Sequence, residues 1–201
     1  MRKIFCIGFQ KTGTSTLQRV LARLGYTTCG TRYDLIGAIR ERNFAPVFAV
    51  VDQYDVVCDN PWPIIFRQLD EAYPGAKFIL TVRDEKTWIR SAVNHLGVGP
   101  DSMQKFVYGK SAPGGFEDIY LARYRRHNEE VRAYFANRPS DLLVADWAAG
   151  DGWPQVCGFL GHEVPSVPFP HSHRRRYGSM KSRFNFAAAS AIRLGRRWTG
   201  G

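Results

Sequence analysis

Lys3-Ile4-Phe5-Cys6-Ile7-Gly8-Phe9-Gln10-Lys11-Thr12-Gly13-Thr14-Ser15-Thr16-Leu17-Gln18-Arg19-Val20-Leu21-Ala22-Arg23-Leu24 sets the architecture of this chain. Its apolar, β-type opening predicts a strand over residues 3–7, and the apolar spacing that follows predicts a helix over residues 16–24. Between them, residues 8–15 carry two glycines, a lysine and three hydroxyl side chains. Strand, tight loop and helix in this order gather backbone N–H groups and the positive end of a helix at one place, which suits phosphate or sulfate. Lys11 adds a full positive charge there. The plain alternative is an ordinary strand-to-helix turn with a hydroxyl N-cap. The loop does not end in the Gly-Lys-Ser/Thr of a Walker A sequence, because Lys11 stands two residues before Gly13. That order points away from magnesium-dependent ATP or GTP chemistry.

A second motif follows at Lys77-Phe78-Ile79-Leu80-Thr81-Val82-Arg83-Asp84. A buried-strand run ends on Arg83, and a helix predicted over residues 84–96 carries Ser91 eight residues further on. Eight residues turn a helix by about 800°, so such positions lie within roughly 80° of each other. Arg offers a forked donor to phosphate oxygens and Ser a hydroxyl. The plain alternative pairs Arg83 with Asp84 or Glu85 and leaves Ser91 on a helix surface.

The two motifs together resemble the sulfotransferase family, whose members use 3′-phosphoadenosine-5′-phosphosulfate (PAPS) as donor. In that family a Lys-x-Gly-Thr-Ser/Thr loop after the first strand holds the 5′-phosphosulfate. An Arg at a strand end, with a Ser eight residues later, holds the 3′-phosphate. The resemblance implies donor contacts from Gln10, Lys11, Thr12, Gly13, Thr14, Ser15, Thr16, Arg83 and Ser91. Many members carry Pro shortly after this Arg, whereas this chain reads Arg83-Asp84-Glu85. Asp59-Asn60-Pro61-Trp62-Pro63, Asp146-Trp147-Ala148-Ala149-Gly150-Asp151-Gly152-Trp153, Phe159-Leu160-Gly161 and Pro168-Phe169-Pro170-His171 are similar to bacterial members, so the likeness runs from about residue 3 to about residue 173. It implies a three-layer, P-loop NTPase-like α/β fold whose mostly parallel sheet is flanked by helices. Residues 1–173 would form the sulfotransferase domain, with a basic tail over residues 174–201. The tail lacks the Gly-x-x-Gly-x-x-Lys of larger members. Arg174, Arg175 and Arg176 would either replace its phosphate contacts or form a solvated run.

Sulfuryl transfer needs charge stabilisation at the departing oxygen and a base for the incoming hydroxyl or amine. Lys11 is assigned the first role. Asp59 is assigned the second, because it leaves the carboxyl end of a central strand, where open α/β sheets place ligands. A helix N-cap or turn residue ahead of Pro61 and Pro63 is its alternative reading. His95, four residues after Ser91, is the rival base. His127 shares a stripe with Tyr120, Tyr124 and Val131 and reads as a core histidine. His171 and His173 matter only if the tail folds back.

Composition supports one enzyme domain without metal. The 201 residues, 44% hydrophobic and 13% aromatic, suffice for a packed core. Cys6, Cys29, Cys58 and Cys157 lack metal-binding spacing, and Cys6 and Cys58 read as buried thiols. Met1-Arg2-Lys3 leads straight into the first strand, and no apolar run is long enough to span a membrane. The chain therefore reads as cytoplasmic, reduced, and without signal peptide or span. The net charge of +10 keeps nucleic acid in view through Tyr120-Leu121-Ala122-Arg123-Tyr124-Arg125-Arg126, yet much of the excess lies in the tail, so no specific nucleic-acid partner is expected. A nucleotide kinase and a non-enzymatic nucleotide binder are the alternative functions. The acceptor is expected to be a small molecule.

The remaining elements predict helices over residues 34–41, 45–51, 64–73, 118–137 and 153–160. Strands are expected over residues 55–59 and 141–145, and an extended run over residues 164–173. The Gly- and Pro-rich residues 97–116 read as a mobile lid or substrate loop.

Overall fold

The central strand β1 (Ile4–Cys6) is buried at every position, so its sequence is a continuous apolar run rather than an alternating one. The computed structural model describes residues 2–97 and 100–170. Helix α1 (Thr14–Arg23) follows, then β2 (Thr28–Cys29), α2 (Ile36–Arg40), α3 (Ala45–Val51), β3 (Val56–Cys58), α4 (Phe66–Ala72) and β4 (Lys77–Thr81). After them come α5 (Glu85–Leu96), α6 (Ser102–Tyr108), α7 (Glu117–Tyr134), β5 (Leu142–Ala145) and α8 (Trp153–Leu160). The sheet runs β2-β3-β1-β4-β5, and every pairing is parallel. Ile4, Phe5 and Cys6 lie opposite Val56, Val57 and Cys58 on one side and Lys77, Phe78 and Ile79 on the other. This is the α/β fold expected, with the sheet wholly rather than mostly parallel.

The described residues separate into two compact units, one of residues 2–83 with 127–170 and one of residues 84–126. The first carries the sheet, covered on both faces. On one face Ile4, Cys6, Val56, Cys58 and Ile79 pack against Leu17, Val20 and Leu21 of α1 and Trp153, Val156 and Cys157 of α8. On the other, Phe5 meets Phe78 at 5.2 Å between ring centroids and Tyr73 at 5.6 Å, and Phe78 meets Phe135 at 4.8 Å. The two-residue period of a strand sends Ile4 and Cys6 one way and Phe5 the other. All four cysteines are buried free thiols, as the reading of Cys6 and Cys58 required.

The second unit is helical. Asp84 caps α5 by accepting from the Thr87 amide at 2.9 Å, and Glu85 pairs with Arg125. Within it the rings of Trp88 and Tyr124 stack at 4.2 Å, and those of Tyr108 and Tyr120 at 4.0 Å. Two expectations need correction. Residues 97–116 are not all loop, because α6 lies inside them, capped by Asp101 on the Gln104 amide at 2.8 Å and closed by Gly109 in a left-handed conformation. Strand β2 is additional. It is held as an edge by Asp55, whose carboxylate accepts from the Thr27 amide at 2.9 Å and the Thr27 hydroxyl at 2.6 Å. The basic tail, His171 and His173 lie outside the described residues.

The connection after β1 leads towards β2, whereas the one after β4 leads to β5 on the opposite side of the sheet. The carboxyl ends of β1 and β4 therefore form the topological switch point, where an open parallel sheet leaves a crevice for ligands.

Candidate active site

The candidate anion loop, residues 8–15, follows β1 at that crevice. A side chain at Gly8 would bring its Cβ to 2.5 Å from the Thr81 carbonyl oxygen and 2.7 Å from the Thr81 nitrogen. Glycine is required there by the close approach of two strand ends, not by its dihedral angles. Thr12 then closes the loop on itself. Its hydroxyl donates to the Phe9 carbonyl at 2.6 Å, accepts from the Thr81 hydroxyl at 2.6 Å, and its amide also donates to Phe9. His127 supports the loop from beneath. It is fully buried, stacks on Phe9 at 4.3 Å, and donates through Nε2 to the Ile7 carbonyl at 2.7 Å. It is the packed core histidine that its stripe predicts.

Helix α1 starts at Thr14, two residues earlier than its apolar spacing suggests, because Gly13 adopts a left-handed conformation with φ 99° and turns the chain into the helix. Thr14, Ser15 and Thr16 therefore make up the first turn, and no acidic residue stands among them to oppose an anion. The Gly13 carbonyl accepts from the Thr16 amide at 2.9 Å, the Leu17 amide at 3.1 Å and the Trp147 indole at 3.3 Å. A Cβ on Gly13 would fall 2.3 Å from the Trp147 ring. Trp147 leans in turn on Phe169, at 5.2 Å, and Phe169 sits edge-on to Trp153 at 5.5 Å.

Lys11 and Asp59 share an unusual backbone state. Among the described residues only Lys11, Arg42 and Asp59 have positive φ without being glycine, at 72°, 56° and 69°. Such conformations are costly and collect at functional positions. Lys11 follows β1 and Asp59 follows β3, neighbouring strands of the sheet. Burial raises the Asp59 carboxyl above its ordinary value. The Asn60 amide, the Thr14 hydroxyl (at 3.4 Å) and the charge of Lys11 partly offset that rise. Asn60 lies fully buried beside them, its amide nitrogen donating to the Gln10 side-chain oxygen, while its own Oδ1 has no partner among the described residues.

Arg83, at the end of β4, reaches the loop by donating to the Lys11 carbonyl at 3.3 Å. The structure thus brings together Gln10, Lys11, Thr12, Gly13, Thr14, Ser15, Thr16, Asp59 and Arg83 within the sheet unit. Ser91 and His95 belong to α5 in the helical unit, Ser91 buried and His95 exposed. Glu85, one of the two alternative partners for Arg83, pairs with Arg125.

Three residues of the site escaped the sequence. Trp147 had only its place in a Gly-rich turn to mark it. Asn60 was overshadowed by the prolines after it. Thr81 lay inside a buried strand run. Each acts through a tertiary contact that no spacing rule encodes.

A family model described as a sulfotransferase domain matches residues 3–110 and 99–177. The chain also resembles "Ava biosynthesis cluster protein M" of Aspergillus versicolor, with 25% identity over 214 aligned residues, covering 84% of this chain and 80% of the relative. The chain belongs to the sulfotransferase domain family, and it is a transferase of that family.

Proposed function

We propose that this chain moves a sulfuryl group from PAPS to a hydroxyl or amine of a small-molecule acceptor. The observation that carries the proposal is the juxtaposition of Lys11 and Asp59. Both are held in left-handed backbone at the carboxyl ends of adjacent strands, beside a helix start without acidic residues. The cradle suits the donor. Backbone N–H groups at the start of α1, the Lys11 ammonium and the Arg83 guanidinium form a cationic donor set that favours a phosphosulfate. Gln10, Thr12, Gly13, Thr14, Ser15 and Thr16 shape this loop, and Arg83 is assigned to the 3′-phosphate, with Ser91 assigned there on the family resemblance alone. PAPS, when bound, supplies the sulfuryl group and leaves as its desulfated bisphosphate.

The chain's own residues divide the remaining work. Lys11 stabilises negative charge where the oxygen leaves sulfur. Asp59 accepts the proton of the acceptor, and its raised pKa makes it a stronger base than an exposed carboxylate. Thr14 orients that carboxylate through its hydroxyl. The group in transfer carries little net charge, so no divalent metal is assigned a role. Among the described residues no group of His, Cys, Asp and Glu is placed to hold one. The name of the fungal relative refers to a biosynthesis cluster, which suits a small-molecule acceptor.

Calorimetry with PAPS, its desulfated product and ATP, each with and without a chelator, tests the reading. Both 3′-phosphorylated nucleotides should bind more tightly than ATP, and chelation should leave them unaffected. Strict magnesium dependence, or a preference for ATP, would overturn it.

A further inference from the structure

The helical unit contains a cavity of about 550 Å³, within the usual range for small-molecule sites. One wall is the end of α6, with Val107 and Tyr108. The other is a single face of α7, with Ile119, Ala122, Arg123 and Arg126. These four positions follow the i, i+3, i+4, i+7 spacing of one helical stripe, so their side chains project in one direction. The stripe is graded along its length. Ile119 and Ala122 make its first part apolar, and Arg123 and Arg126 make its last part cationic. From Ile119 to Arg126 the helix rises roughly 10 Å.

The walls are held firmly. Tyr108 stacks on Tyr120 at 4.0 Å with 14° between the planes, and the Tyr120 hydroxyl donates to the Lys110 carbonyl at 2.9 Å. Among the described residues, no carboxylate lines the cavity. Two guanidiniums one turn apart, at the end of an apolar and aromatic slot, match one ligand chemistry.

We propose that this cavity binds an amphipathic organic anion: an aromatic or branched aliphatic body of about bicyclic size carrying one carboxylate or one sulfate ester. The apolar body lies along Val107, Ile119 and Ala122, and the anion meets Arg123 and Arg126. Recognition here requires neither donor nor turnover, so it stands apart from the reading of the anion loop.

Calorimetry on the full chain with 2-naphthoate, 2-naphthyl sulfate and neutral 2-naphthol tests it. A charge-assisted contact corresponds to about a ten- to hundredfold gain in affinity, so both anions should exceed 2-naphthol by at least about tenfold. The paired substitution Arg123→Gln with Arg126→Gln should abolish that preference. Ala122→Trp, at an exposed helix position, should fill the slot and weaken all three ligands while the thermal melt stays unchanged. It also keeps the test decisive if the paired variant folds poorly. Equal binding of naphthol and the anions would overturn the proposal. So would an anion preference that survives the paired substitution, or undiminished binding of the three ligands in Ala122→Trp, either of which would put the ligands elsewhere on the chain.

Discussion

At Asp59, the proposed base role and stability pull in opposite directions. Burial raises the carboxyl pKa in the folded state, so between the unfolded and folded values the native chain holds more protons. Stability therefore falls as pH rises through that interval, and the full penalty is present above the folded-state value. Below the ordinary aspartate value of about 3.9 it disappears. Asp59→Asn keeps the shape, tolerates the left-handed backbone and removes the charge. Its melting temperature should exceed that of the parent at pH 7, and the two should converge near pH 3. Turnover on weakly acidic alcohols should fall by about a hundred- to ten-thousandfold, while phenols of low pKa largely escape. Full activity on high-pKa acceptors would transfer the base role to His95. Lys11 enters the same balance, because its charge lowers the Asp59 pKa. In Lys11→Met the acid limb of kcat/KM against pH should move upward. Turnover should drop by about a hundred- to a thousandfold for every acceptor, ionised phenolates included. An unmoved limb would separate the two residues.

At the level of elements, the site depends on how tightly the ends of β1 and β4 meet. Gly8→Ala forces a Cβ against the backbone of Thr81, which cannot step aside as a flexible side chain would. Overpacking of this kind costs about 1–3 kcal/mol or more, which urea denaturation would register together with a loss of donor binding. Arg83, at the end of β4, offers a sharper contrast. Arg83→Ala should weaken PAPS by about 1.5–3 kcal/mol and scarcely affect adenosine-5′-phosphosulfate, which has no 3′-phosphate. Equal losses would make Arg83 a brace for the loop through its bond to the Lys11 carbonyl. These same elements show what the sequence could and could not convey. β1 and β4 were legible because strands buried on both faces become unbroken apolar runs, and the tight loop between β1 and α1 because its glycines and hydroxyls are clustered. β2 was hidden, since two residues carry no periodicity and a carboxylate from another loop holds them. α6 was masked by the glycines and prolines around it, although Asp101 and Gly109 supplied its start and stop signals. The left-handed state of Lys11 and the indole over Gly13 belong to tertiary packing alone.

At the scale of the whole molecule, the net charge of +10 conceals two distributions. Arg174, Arg175, Arg176, Lys181, Arg183, Arg193, Arg196 and Arg197 supply eight of the basic residues in a stretch without any acidic one, while residues 1–173 hold twenty basic against eighteen acidic. A nearly balanced domain does not attract polyanions at large. It would bind one by local arrangement, and the proposed donor set of Lys11, Arg83 and the start of α1 is such an arrangement. A dense basic run behaves differently, releasing counterions from any polyanion whatever its sequence. The two contributions separate on replacing all eight tail residues by Gln in the full chain. Affinity for the desulfated donor at moderate salt should stay within about twofold, because local charge-assisted hydrogen bonds carry it. Affinity for a single-stranded oligonucleotide should fall, and the slope of log K against log salt should flatten by about 0.7 for each phosphate contact removed. Calorimetry and fluorescence anisotropy across a salt series measure the two quantities on the same preparations. A loss of donor affinity of tenfold or more, restored when Arg174, Arg175 and Arg176 are returned, would bring those residues into the donor site in place of the missing Gly-x-x-Gly-x-x-Lys segment.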